Sequence, residues 1–174
     1  MMVERGRSAQ WGTVIDPLRR RAFVQRNSET ATCDYPRRQP GQETSVLDHF
    51  GFYCRDATVS LPFYRACLAP LGIVVIQEQP HLKAAIFKRE GSPVFWWLGE
   101  GGSEWREQAG RSRMHLGFTA ASPEEVDAFH AVALAAGGLD NGRPGYRRPT
   151  CYSAFVIDPD GNNVEAIWQT ERSQ

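Results

Sequence analysis

His49 and His115 stand in matching settings. Leu47-Asp48-His49-Phe50-Gly51-Phe52 recurs as Arg113-Met114-His115-Leu116-Gly117-Phe118, so a histidine two residues ahead of a glycine appears twice, 66 positions apart. Imidazole is the commonest protein metal ligand, and a metal site needs several neutral or anionic donors converging on one point. A single strand histidine is more often packed or solvated. Two at equivalent places in a duplicated unit converge if the halves pair about a pseudo-twofold axis. The third donor should be anionic and on a strand. Glu165 qualifies, in Asn162-Asn163-Val164-Glu165-Ala166-Ile167-Trp168. There Val164, Ala166 and Trp168 alternate as a core face, which turns Glu165 to the other side. Two imidazoles and one carboxylate leave coordination positions open. Non-haem Fe(II) oxygenases use that arrangement, and Zn, Mn or Ni are also compatible.

The elements that must carry these residues are short. Each histidine run alternates like a strand: His49, Gly51 and Tyr53 oppose Phe50, Phe52 and Cys54, and His115, Gly117 and Thr119 oppose Leu116 and Phe118. The glycine beside each histidine keeps that face open. A helix follows each strand. Asp56 or Ser60 caps the first, which holds Phe63, Cys67, Leu68 and Leu71, with Pro62 tolerated only near its first turn. Ser122-Pro123-Glu124-Glu125 starts the second, with Val126, Phe129, Ala133 and Ala136 at helical spacing and Gly137-Gly138 as its end. Three strands then fit in each half, near 73–78, 83–89 and 93–98, and near 140–146, 151–157 and 163–168, with Gly99 to Arg111 as the link. The fold class is α+β: two βαβββ modules, with the helices outside a mixed or antiparallel sheet.

Other residues are candidates beside the triad. Tyr152 could donate a hydrogen bond or act as an acid, and alternation lets only one of Cys151 and Tyr152 face the cavity. Phe95, Trp96 and Trp97 alternate, so Phe95 and Trp97 can wall an apolar pocket while the rest is core. Arg143, Arg147 and Arg148 lie in a breaker-rich loop, 139–150, and Arg147 could attract an anionic substrate at the mouth of the site. His130 is expected on the surface or flank of the second helix, and His81 in a solvated turn.

Composition bounds the partners. Twenty Lys and Arg balance twenty Asp and Glu over 174 residues, so a general nucleic-acid binder is disfavoured. No apolar run is long enough to span a membrane. Cys33, Cys54, Cys67 and Cys151 are widely spaced, which points to a reducing, cytoplasmic setting rather than a disulfide scaffold. Residues 1–44 hold eight Arg, no Lys and five acids, and close on Tyr35-Pro36-Arg37-Arg38-Gln39-Pro40-Gly41-Gln42. That part reads as a disordered, Arg-rich tail or an over-long gene start. Glu4 and Asp16 argue against an organelle leader. Residues 45–171 are the folded domain.

Phe-Tyr-x-x-x-Leu-x-Pro-Leu-Gly (Phe63 to Gly72), the paired His-x-Gly-Phe strands and Asp-Pro-Asp-Gly-Asn-Asn-x-Glu (Asp158 to Glu165) together resemble the vicinal oxygen chelate superfamily. That group includes glyoxalase I, extradiol dioxygenases, and fosfomycin and bleomycin resistance proteins. The resemblance covers about residues 46–169. It implies a U-shaped sheet cradling one divalent metal, with His49, His115 and Glu165 as ligands from the first, fifth and eighth strands. Superposing the turn glycines Gly91 and Gly161 sets Glu165 against Phe95. Glyoxalase I relatives place a fourth ligand near there, whereas this chain has Pro93-Val94-Phe95-Trp96-Trp97-Leu98. The implied function is a metal-dependent dioxygenase, lyase or isomerase acting on a small molecule chelated through adjacent oxygens. The alternatives are a non-catalytic binder of a drug or aromatic ligand, of the bleomycin-resistance type, and an interaction protein acting through its Arg-rich tail. A homodimer is compatible with the first two.

Overall fold

The computed structural model describes residues 46–102 and 113–170. The expected tail (1–44) and most of the expected link lie outside the described residues. Two modules of the same plan follow each other. The first is β1 (His49–Cys54), α1 (Ala57–Leu68), β2 (Ile73–Gln79), β3 (Ala84–Arg89) and β4 (Phe95–Glu100). The second is β5 (His115–Thr119), α2 (Pro123–Ala135), β6 (Leu139–Arg148), β7 (Cys151–Ile157) and β8 (Asn163–Gln169). The strand orders are β1-β4-β3-β2 and β5-β8-β7-β6. In each sheet the first strand runs parallel to the last, and the remaining pairs are antiparallel. The α+β reading and the duplicated module therefore hold. Gly99 and Glu100, expected in the link, continue β4.

Local chemistry explains the helices. Asp56, not Ser60, caps α1, its carboxylate accepting from the Thr58 amide at 2.9 Å. Pro62 consequently sits inside the helix rather than in its first turn. Ser60 is buried and donates to Asp160 at 2.7 Å, so its hydroxyl is committed elsewhere. Ser122 caps α2 by accepting from the Glu125 amide, and the Glu125 carboxylate accepts from the Ala121 amide at 2.7 Å. Gly137 closes the helix at φ +97, a conformation that favours glycine.

One core serves both modules. Phe52 and Cys54 of β1, Phe63, Tyr64 and Leu68 of α1, and Trp96 and Leu98 of β4 pack in the same cluster as Phe118, Val126, Phe129, Val156 and Val164. The two helices pack on each other as well as on the sheets. A polar clamp crosses this core. Tyr64 Oη donates to Asp158 at 2.6 Å, and Ser60 and Arg55 donate to Asp160. Asp158 also accepts from the Asp160 and Asn162 amides, which shapes the turn before β8. The turn that aims Glu165 is thus tied to the first helix.

Candidate metal centre

The parallel pairing of β5 and β8 brings two of the three expected ligands together. The register sets His115 against Asn163 and Gly117 against Glu165. Val164 and Ala166 are fully buried, so Glu165 emerges on the face away from the helices, as its alternation requires. His115 Nε2 lies 3.1 Å from Glu165 Oε2. Two ligands bound at about 2.1 Å in neighbouring coordination positions stand about 3 Å apart, so this pair fits the sphere of one cation. Gly117 keeps the place open: a Cβ there would meet only the Glu165 carboxylate, at 3.8 Å. On its other side His115 Nδ1 accepts from Asn163 Nδ2 at 2.7 Å. Phe155 lies against the His115 ring, and the Arg147 guanidinium sits 5.3 Å above the Phe155 ring.

His49 occupies the equivalent place on β1. Its ring is exposed, its Nδ1 is 2.8 Å from Asp48 Oδ1, and it stacks on Phe95 at 5.0 Å. Among the described residues no three His, Cys, Asp or Glu side chains are grouped around one point. One copy of the chain therefore joins His115 to Glu165 but does not bring His49 to them. β1 and β5 each form the edge of a separate sheet.

The register corrects the expected match between the halves. β1 sets His49 against Phe95 and Gly51 against Trp97. Trp97, two residues beyond Phe95, is therefore the counterpart of Glu165. The turn glycines misled the superposition, because Gly91 and Gly161 occupy different places in turns that each span five residues between strands. Both residues share the histidine face, so the fourth strand still carries no donor there. Trp97 packs edge-on against Tyr53 and donates through Nε1 to Gln79 Oε1 at 2.8 Å, while Trp96 is core.

The remaining candidates divide. Arg147 lies on the His115 side, its Nη2 donating to the Arg143 and Ser153 carbonyls, and the stretch carrying it is strand β6 rather than a loop. Tyr152 packs against the core on the helix side, where its hydroxyl donates to Asp127 of α2 at 2.9 Å. That bond holds the phenol pKa above its ordinary value. His130 is buried, not on the surface, with Nε2 3.1 Å from Asp140 Oδ1. His81 lies in the turn Pro80–Leu82, as expected. Asn163 was not among the expected site residues; its sequence signal is its place in the Asp158 to Glu165 motif, two residues before Glu165.

The model of the Glyoxalase/Bleomycin resistance protein/Dioxygenase superfamily matches residues 46–166. The chain belongs to that superfamily. Among solved structures it resembles a glyoxalase/bleomycin resistance protein from Albidiferax ferrireducens T118, with 29% identity and a TM-score of 0.55 over 71% of this chain and 98% of that one. It also resembles a lactoylglutathione lyase from Agrobacterium tumefaciens, with 20% identity and a TM-score of 0.50 over 74% and 95%. A third is the fosfomycin resistance protein FosX of Listeria monocytogenes, in complex with Mn(II) and a dihydroxypropylphosphonic acid, with 20% identity and a TM-score of 0.51 over 71% and 90%. The latter two likenesses are of fold. Among curated proteins none matches the sequence. No helix among the described residues is long and apolar enough to cross a membrane.

Proposed function

We propose that this superfamily member is a divalent-metal-dependent enzyme of the glyoxalase or dioxygenase type, acting on a small substrate chelated through adjacent oxygens. The observation that carries the reading is the 3.1 Å approach of His115 Nε2 to Glu165 Oε2 beside an open glycine. His115 and Glu165 of one copy would hold the ion with His49 of a second copy, edge strand β1 meeting edge strand β5 about a twofold axis. The exposed apolar side chain of Leu47, two residues ahead of β1, supports such an association. Bound there, the cation acts as a Lewis acid toward negative charge on the substrate oxygens. Phe95 and Trp97 wall the apolar side, and Arg147 receives an anionic group of the substrate. Tyr152 takes no part. The buried thiols Cys54, Cys67 and Cys151 support a reducing, cytoplasmic setting.

The test is metal analysis after reconstitution with Fe, Mn, Zn or Ni. Wild type should retain about one ion per chain; His115→Ala and Glu165→Gln should lose affinity by more than about tenfold. Equal, negligible metal in all three would end the reading. A second reading, a non-catalytic binder of flat aromatic ligands, draws on Trp97 standing where a fourth donor would be. Tight ligand binding by metal-free protein, unaffected by Glu165→Gln, would favour it.

A further inference from the structure

We infer that Asn163, backed by Asn141, is the positioning residue that sets which ring nitrogen of His115 carries the hydrogen and holds Nε2 toward Glu165. The inference builds on the metal reading. An imidazole on an edge strand, with its side chain about half exposed, swings freely unless its second nitrogen is held, and metal-binding histidines depend on such a partner. Asn163 is the cross-strand neighbour of His115 and reaches Nδ1 at 2.7 Å. Its Oδ1 in turn accepts from Asn141 Nδ2 at 3.0 Å. Asn141 is the extra residue where the β6–β7 register shifts between Asp140 and Gly142, and a bulge of this kind re-aims a side chain. The bulge is pinned, because Asp140 Oδ1 accepts from the Gly142 amide at 2.9 Å and lies against His130. In the first module Phe95 takes the place of Asn163, and His49 has its Nδ1 on Asp48 instead. Both imidazoles are therefore held by Nδ1, through different residues.

The choice of an amide has a chemical consequence. While Asn163 Nδ2 donates to Nδ1, the neutral ring carries its single hydrogen on Nε2 and gives it to Glu165. A cation at Nε2 needs that lone pair, so the hydrogen must sit on Nδ1. Half-turns of both amides present Asn163 Oδ1 to Nδ1–H and Asn141 Oδ1 to Asn163 Nδ2. One hydrogen leaves Nε2 for solvent, another arrives at Nδ1, and both bonds survive. An amide pair serves either tautomer; a carboxylate at 163 would serve only the second.

The experiment is nitrogen-15 NMR of the His115 ring in the full chain, metal-free and with Zn, together with Zn affinity by chelator competition. Wild type should show hydrogen on Nε2 when metal-free and on Nδ1 with Zn. Asn163→Ala should show mixed tautomers and bind Zn about 10–100-fold more weakly. Asn163→Asp should add a hydrogen on Nδ1 without metal, Nε2 keeping its own toward Glu165, and restore the affinity. Asn141→Ala should fall between wild type and Asn163→Ala. Asn163→Ala with wild-type tautomer and affinity would overturn the inference. If wild type binds none of Zn, Fe, Mn or Ni, the metal reading falls, and the metal-free tautomers of wild type and Asn163→Ala still decide the role of Asn163.

Discussion

Trp97 stands opposite Gly51 as Glu165 stands opposite Gly117. The duplicated strands thus present a carboxylate in one module and an indole at the matching place in the other. Trp97→Glu should add a donor on the β1 side and tighten divalent-metal binding on the order of tenfold, or about 1.4 kcal/mol. Trp97→Phe should leave affinity unchanged. Chelator competition reads both, and a Trp97→Glu protein binding no better than Trp97→Phe would place position 97 away from the ion.

Sharing the site between copies has a sharp signature. His49→Ala and His115→Ala should each abolish tight metal binding alone. Mixed and reassociated, they form heterodimers in which one site lacks both histidines and the other keeps all three ligands. Roughly one quarter of wild-type sites should return, given random pairing in a twofold dimer. A site built within single chains would show no recovery.

Tyr64 is fully buried and donates to the buried Asp158 carboxylate at 2.6 Å. A hydrogen bond to a charged group contributes about 1.5–3 kcal/mol. Tyr64→Phe should therefore lower Tm by roughly 3–12 °C, at about 2–4 °C per kcal/mol in a chain of this size. It should also loosen the turn that aims Glu165, so metal affinity should fall more than in Phe63→Leu, a core change that leaves the clamp intact. Calorimetry and metal titration check the two parts.

Burial pushes the Cys54 thiol up to about 12, reinforced by Asp160 and Glu100. A raised folded-state value means that the native protein holds its proton where the unfolded chain has lost it. This contribution to stability is complete below the ordinary thiol range and is lost as pH rises toward about 12. Cys54 should resist thiol reagents at pH 8 in native protein and react on unfolding. Cys54→Ala should flatten the alkaline fall in denaturation midpoint; an unchanged fall would assign it to other groups.

Pattern alone carried the architecture. Alternation in 49–54 and 115–119, the Ser122-Pro123 start and the closing glycines each reflect local backbone chemistry, which neighbouring residues set, and they mark strands and helices close to where these occur. The choice of Asp56 over Ser60 as cap was not local: Ser60 is claimed by Asp160, 100 positions away. Likewise the burial of His130 follows from its packing beside β6, which helical spacing does not record.

Residue types and their repeat determined by themselves that one face of each module carries a histidine beside a glycine, and that Glu165 shares that face in the second; the open space expected at both glycines is found at Gly117, whereas Trp97 fills it at Gly51. Only tertiary structure decided which residues stand opposite one another. Strand register depends on pairing between segments far apart in the chain. It put Trp97, not Phe95, in the place matching Glu165, gave His115 its partner Asn163, and left His49 on a separate sheet edge.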